Sequence, residues 1–475
     1  MLPGERFERV PSWGGSTSAM SWVYRPTTID GLHAVLGLAR QEGLSVGLRG
    51  AGQSYGDAST NGENVCLDTS RMSRILEWDP AAGRVRVEPG VTIRQLWQYT
   101  IEDGWWPQVV SGTMHVCVGG AAAMNIHGKN NWKVGTIGDH LEAFEMLLPS
   151  GEVVRCSREE RPELFHAAIG GFGMLGCFTS LTLRMKRVHS GLLEVDPVPV
   201  RSLDEMFDVV EARLADADYL VGWMDTFARG AGLGRGLVHR ADYLHEGEDP
   251  NAAQTLRVVN QELPPTLMGV VPKSMMWAFM RPFTNDPGVR LVNEAKYRMS
   301  RFEGGRRYRQ SHAGFALLLD YIPDWKRAYG PGGLIQYQSF LPAESARAVY
   351  RELLERSHRA GLTPYLGVFK RHRIDPFLMT HAVDGYSLAL DFKVTARNRR
   401  RLWEHAAEMT HVVLDAGGRF YFAKDSTLTA PQLERYLAEE RVQRFLALKR
   451  TLDPDALLQT DLWRRLFAPT SDGRR

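Results

Sequence analysis

Apolar positions at helical spacing first appear from residue 28, where Leu32, Val35, Leu36 and Leu38 predict a helix. A short strand over 45–49, a glycine-rich turn and a second strand near 64–68 follow it. Alternation predicts a strand over 84–89, and helical spacing returns over 92–102. Residues 141–148 and 152–157 flank Pro149-Ser150-Gly151 and read as a hairpin. A short helix is predicted over 162–169 and a strand over 178–188. From about residue 192 the texture changes. Longer helices over 202–215, 343–360 and 398–416 alternate with β-like runs over 333–341 and 386–394, which predicts a second domain. Residues 419–425 and a helix over 430–449 read as a return to the first.

Composition narrows the class. The chain has 475 residues, 44% hydrophobic and 24% charged, an ordinary globular balance. Lysine plus arginine total 58 against 55 acidic residues, so there is no footprint for nucleic acid, and any anionic partner must be met locally. No run of about 20 apolar residues predicts a membrane span. The opening MLPGERFERV lacks an apolar run before a cleavage site, so the expectation is a cytoplasmic protein, in part peripheral to the inner membrane face. Cys66, Cys117, Cys156 and Cys177 have no CxxC or zinc-finger spacing, which predicts reduced structural thiols and no metal site.

Candidate chemistry lies in the glycine-rich segments. Residues 171–176, GFGMLG, match GxGxxG, but a Rossmann site needs a strand before and a helix after. Here a predicted helix precedes and a predicted strand follows, which argues against a nicotinamide site. The segment Arg49-Gly50-Ala51-Gly52-Gln53-Ser54-Tyr55-Gly56-Asp57 instead follows a strand with no helix to claim its backbone donors, as an anion nest requires. Gly112-Thr113 with residues 119–130, GGAAAMNIHGKN, forms a second small-residue loop, and residues 135–140 a third. Lack of side-chain bulk suits a large flat ligand or its diphosphate lying against the main chain.

These loops and the terminal YFAKDS resemble the FAD-binding oxidoreductases of the vanillyl-alcohol oxidase type. Residues 327–331, 334–338, 368–370 and 461–465 extend the likeness over nearly the whole chain, toward the branch that oxidises polyprenylphosphoryl pentoses. The resemblance implies an α+β fold in which a discontinuous FAD domain, 1–191 and 418–475, encloses a substrate domain, 192–417. It implies that FAD is held by Leu48, Arg49, Gly50, Ala51, Gly52, Gln53, Ser54, Tyr55, Gly56, Asp57 and Ala58 in the first loop. Gly112, Thr113, Cys117, Val118, Gly119, Gly120, Met124, Asn125, Ile126 and His127 would serve in the second, with Phe178 and Tyr421 adding contacts. Many relatives attach the flavin through a histidine where this chain has Gln53, so non-covalent FAD is expected.

Oxidising a secondary alcohol requires a hydride acceptor, which a flavin supplies, and a destination for the hydroxyl proton. Lys424, His127 and Tyr55 are the candidates for the second. Lysine needs burial or a cationic neighbour to act as a base and otherwise clamps charge. The resemblance assigns Lys424 to the flavin face, and Gln336, Lys370, Ala389 and Asp391 to the substrate pocket. At Ala389 the branch carries a cysteine, so pocket shape is expected to differ.

Residues 266–283, TLMGVVPKSMMWAFMRPF, set large apolar side chains beside Lys273 and Arg281, which suits a lid over a polyprenyl tail or peripheral membrane contact. The resemblance implies oxidation of the 2-hydroxyl of a polyprenylphosphoryl-β-D-ribose as the first half of an epimerisation in cell wall biosynthesis, with a short-chain reductase as partner. An oxidase of another carbohydrate, polyol or aldonolactone, and a non-catalytic flavin-binding subunit, are the alternatives.

Overall fold

The computed structural model describes residues 2–267, 271–302 and 304–467. Three sheets carry the architecture. A four-stranded sheet runs in the order Phe7–Pro11, Ser18–Tyr24, Val65–Asp68, Val46–Arg49, with its last two pairings parallel. Helix Ile29–Gln41 is N-capped by Thr28, whose side chain accepts from the Gly31 N–H. The helix buries Leu32, Val35, Leu36 and Ala39, and Leu38 is only partly buried against them. Residues 50–64 join two parallel strands without a helix, so the first glycine loop leaves the carboxyl end of its strand, where open α/β sheets bind ligands.

The second sheet is antiparallel, in the order Ile75–Asp79, Arg84–Val87, Cys177–Arg187, Leu141–Leu147, Val153–Ser157, with Trp105–Pro107 pairing the far end of Cys177–Arg187. The expected hairpin is its edge. The second glycine segment, expected as a loop, holds helix Val118–Met124, N-capped by the Cys117 sulfur and ended by Asn125 at φ 48°. Alanines favour the helix, and the left-handed Asn125 stops it.

The third sheet has eight strands, all antiparallel: Tyr308–Ser311, Leu192–Val200, Gly236–Tyr243, Tyr219–Met224, Leu366–His372, Gly385–Lys393, Leu334–Pro342, Arg419–Phe420. Its two faces follow from side-chain alternation. Ile335, Tyr337, Phe369, Leu388 and Leu390 face helices Leu203–Glu211, Ala343–Arg359 and Arg399–Asp415 and join the main core. Their alternates face the first half of the molecule.

The helix expected over 430–449 is broken at Ala438, where φ is 64°, into Ala430–Leu437 and Glu439–Leu452. Beyond it the chain returns to the first sheet, where the Val46 N–H donates to the Leu457 carbonyl and the Gln459 N–H to the Val46 carbonyl. Arg465 pairs with both Asp57 and Asp425, tying the last helix, Asp461–Leu466, to the first glycine loop. All four cysteines are buried and free. Among the described residues no helix is long and apolar enough to cross a membrane. Within 266–283, residues 268–270 lie outside the described residues, and Lys273–Phe283 forms short helical turns that expose Met275, Phe279 and Phe283.

Candidate active site

A cavity of about 390 Å³ separates the glycine loops from the free face of the eight-stranded sheet. Leu48 through Tyr55, Ala58, Gly112, Thr113, Cys117, Gly119, Gly120, Met124, Ile126, His127 and Phe178 line its first-half wall. A Cβ on Gly50 would lie 2.3 Å from the Cys117 sulfur, so the loop backbone rests directly on the helix cap. The Ala51 N–H points to that sulfur at 3.4 Å, and the N–H groups of Gly52, Gln53 and Ser54 make no hydrogen bond within the described residues. Bare backbone donors above a floor of glycine and alanine fit the diphosphate and ring system of FAD. The Gln53 side chain donates to the Ala51 carbonyl at 3.2 Å and offers no nucleophile for a covalent link.

Several expected contacts lie off this wall. A Cβ on Gly56 would meet the Asp425 carbonyl at 1.9 Å, so that glycine serves chain packing. Asp57 is spent on Arg465. Val118 points into the core. Asn125 bonds Asp375 and the Gly138 N–H. The third small-residue segment is a structural turn in which Gly138 abuts Phe377 and Ile169. Conversely Phe172, Gly173, Gly176 and Cys177 line the cavity, from the very segment whose GxGxxG string is in the wrong context for a Rossmann site.

The opposite wall is the sheet face. Gln336, Gln338, Ala389, Val368, Lys370, Trp223 and His239 line it, contributed by five adjacent strands. Register aligns them: Gln336 opposes Asp391, Gln338 opposes Ala389, Ala389 opposes Val368, and Val368 opposes Trp223. Asp391 lies fully buried just behind, where its Oδ1 accepts from Gln336 Nε2 at 2.6 Å and its Oδ2 has no hydrogen-bond partner among the described residues. Burial pushes its carboxyl up to about 6. Between the two walls stands Lys424, in a turn where the Tyr55 N–H donates to the Ala423 carbonyl. Its ammonium sits 3.6 Å from the Tyr55 ring centroid. Burial first, and then the Lys370 charge, pull it down to about 7 against the opposing pull of Asp391.

His127 and Tyr55 differ from Lys424. His127 Nε2 lies 3.2 Å from the Gln338 amide nitrogen, an arrangement in which the amide donates. Burial and the surrounding Lys370, His372, His381 and Lys424 hold the ring well below the ordinary histidine range, so it is neutral and weakly basic. Burial holds the Tyr55 phenol well above its ordinary range, and the nearby Asp391 adds to this. Tyr421 packs on His381 at 4.3 Å and also lines the cavity. Trp223, His239 and Lys296 are wall residues absent from the sequence reading, and Lys129 and Gln338, though inside quoted segments, had no site role there. The alternation of Gln336 with Gln338 was a usable signal. Lys296, on a distant helix, had none.

The sequence family described as an FAD binding domain matches residues 20–157, a span that contains both loops of the cradle. Decaprenylphosphoryl-beta-D-ribose oxidase of Mycolicibacterium smegmatis is 30% identical over 466 residues, covering 97% of each chain. L-gulonolactone oxidase of Bos taurus is 26% identical over 222 residues, 46% of this chain and 49% of its own. D-arabinono-1,4-lactone oxidase of Yarrowia lipolytica is 26% identical over 185 residues, 38% of this chain and 35% of its own.

Proposed function

The chain belongs to the FAD-binding oxidoreductases of the vanillyl-alcohol oxidase type, which act on sugar CH–OH groups, and from that premise we propose that it oxidises the 2-hydroxyl of a polyprenylphosphoryl ribose to a ketone. Bound FAD supplies the hydride acceptor that no side chain can provide.

The observation that carries the reading is Lys424, a buried amine brought close to neutrality between the flavin cradle and the sheet floor. A neutral amine there can take the hydroxyl proton. The ammonium so formed is stabilised by Asp391 and by the face of the Tyr55 ring. Gln336 holds Asp391 in place, His127 orients Gln338, and Lys370 presents a second cation to the developing alkoxide. The ketone product would pass to a short-chain reductase that restores a hydroxyl of the opposite configuration. The lipid tail would leave past Trp223 toward helix Asp286–Phe302, whose outer side exposes Leu291, Val292, Met299 and Phe302 and supports peripheral membrane contact.

Anaerobic mixing with polyprenylphosphoryl pentoses, free pentoses and aldonolactones, following bleaching of the flavin, tests the reading. Rapid bleaching by the lipid-linked ribose is expected. Faster bleaching by a free aldonolactone would transfer the assignment to lactone oxidation. Acid precipitation should also release FAD into the supernatant, whereas yellow pellets would contradict a non-covalent cofactor at Gln53.

A further inference from the structure

We infer that the outer end of the cavity is an anion subsite in which Lys296 and His239 hold the phosphate of a glycosyl phosphate while its sugar reaches Lys424. The inference rests on the sugar-oxidase reading and gives it a chemical selector.

The cavity wall carries Arg49, Lys129, Lys296, Lys370 and Lys424, and among the described residues neither aspartate nor glutamate lines it. Most of that charge is accounted for locally. Arg49 donates to Ser59 and to the Pro11 carbonyl. Lys129 donates to the Phe315 carbonyl and sits 4.6 Å from that ring's centroid. Lys424 has Asp391. Lys296 has neither an ion pair nor a hydrogen bond within the described residues, and its ammonium rests 4.0 Å from the centroid of the Trp223 ring. An aromatic face steadies a cation but does not neutralise it.

The position of Lys296 is enforced. Asn293, one helical turn earlier, donates to the buried Asp225 at 3.1 Å, and the adjacent Tyr297 lies 4.5 Å beneath the Arg235 guanidinium. These contacts set Lys296, itself still exposed, over Trp223 at the cavity's edge, while Leu291, Val292 and Met299 are exposed to solvent. Below it, His239 opposes Val221 in register, beside Trp223, and has no hydrogen-bond partner within the described residues. Desolvation by the protein packed around them pushes Lys296 down to about 8 and His239 to about 4, with the Lys296 and Lys129 charges contributing to the second. Lys296 keeps access to solvent at the cavity's outer end, where its charge is met by no counter-ion within the described residues, and an anion entering there finds an unpaired cation held over Trp223. A neutral imidazole adds an N–H donor.

The spacing suits a sugar phosphate. The strand carrying Trp223 lies two strands from the one carrying Asp391, roughly 10 Å at ordinary sheet spacing, a gap that lysines reaching in from each end narrow. Lys370 stands between them.

The test uses FAD-loaded protein and three probes: inorganic phosphate, a geranylphosphoryl riboside, and the neutral geranyl riboside. Calorimetry should show phosphate binding that weakens about tenfold or more in K296Q and stays within about threefold in K296R, with FAD content and melting temperature unchanged. The phosphoryl riboside should lose the same factor in K296Q, and the neutral riboside should lose nothing. Phosphate affinity and phosphoryl preference unaltered in K296Q would overturn the subsite, even if both ribosides bleach the flavin and sugar oxidation stands. Lys296-dependent phosphate binding with no bleaching by either riboside would keep the subsite and reject the sugar-oxidase reading.

Discussion

The two walls of the cavity are built on different principles. The cradle of residues 48–58 and 112–124 works through main-chain donors and the absence of side chains, and its contacts are packed to the point where a single Cβ at Gly50 cannot enter. The sheet floor works through side chains, with lysine, glutamine and histidine drawn from five strands and charges left exposed to whatever binds. The first wall is shaped to hold a cofactor that stays. The second is shaped to exchange a substrate and to move a proton. Substitutions on one wall should therefore separate cleanly from those on the other.

The sharpest separation comes from Lys424. Lys424→Met removes the amine but keeps a chain of similar reach, so FAD content should remain while the rate of flavin reduction by substrate falls about 10²–10³-fold. Stopped-flow absorbance measures the rate and acid extraction measures the flavin. A normal rate in this variant would take proton transfer away from the boundary between the walls.

Gly50→Ala is the converse. Its new Cβ would fall 2.3 Å from the Cys117 sulfur, so either loop or helix must shift and the row of N–H donors loses its alignment. FAD affinity should drop about tenfold or more, a cost of ~1.4 kcal/mol, while turnover per bound flavin stays near normal. Fluorescence titration of the apoprotein gives the affinity. Unchanged affinity with lowered turnover would show that the cradle also positions substrate.

This contrast explains what was legible in the sequence. The cradle is mostly contiguous, so glycines within one short segment point to it, and the family resemblance rests on those same residues. Inside the loops, however, contiguity misled. Asp57 and Asn125 stand among true wall residues, yet their side chains serve Arg465 and Gly138. The floor is the opposite case. It takes one or two residues from each strand, and only register across the eight-stranded sheet brings His239, Trp223, Lys370 and Gln338 together. Period-two alternation within a strand could have added Gln338 to Gln336. Nothing local could have brought in Lys296. The expected helix over 430–449 is divided by Ala438, a helix-favouring residue that takes φ 64° between Ala430–Leu437 and Glu439–Leu452, a break that composition does not announce.

The pH dependence sharpens the assignment on the floor. Lys424 accepts a proton only as the neutral amine, and burial with Lys370 brings it down to about 7. Flavin reduction should therefore rise about tenfold per unit below that value and level off above it, with no rise in the methionine variant. Asp391 holds Lys424 up, so Asp391→Asn should move the midpoint to lower pH. Loss of most of the rate together with its pH-dependent rise would mean that Asp391 itself takes the proton.

The smallest effect on oxidation is expected at Ala389, where the resemblance drawn from the sequence implies cysteine in the related branch. Ala389 opposes Gln338 on one side and Val368 on the other, at the middle of the floor, with its methyl toward the cavity. An added sulfur there projects into open volume and displaces no core atom, so Ala389→Cys should change the flavin-reduction rate by no more than about threefold. Its chemistry should nevertheless be distinctive. Lys370 is a diagonal neighbour across the strand pair and Lys424 stands over the same floor, and two cations favour thiolate over thiol. The native cysteines provide a quiet background, because burial raises the Cys66 and Cys177 thiols to about 12 and Cys156 to about 11, and also holds the cavity-lining Cys117 thiol above its ordinary range. Iodoacetamide at neutral pH should therefore modify the variant at this one position and leave the parent unmodified over the same time, as intact mass measures. Normal oxidation with a silent thiol would place Ala389 outside the lysine field. A large loss of oxidation on adding one sulfur atom would show that the floor, like the cradle, is packed against its ligand without tolerance.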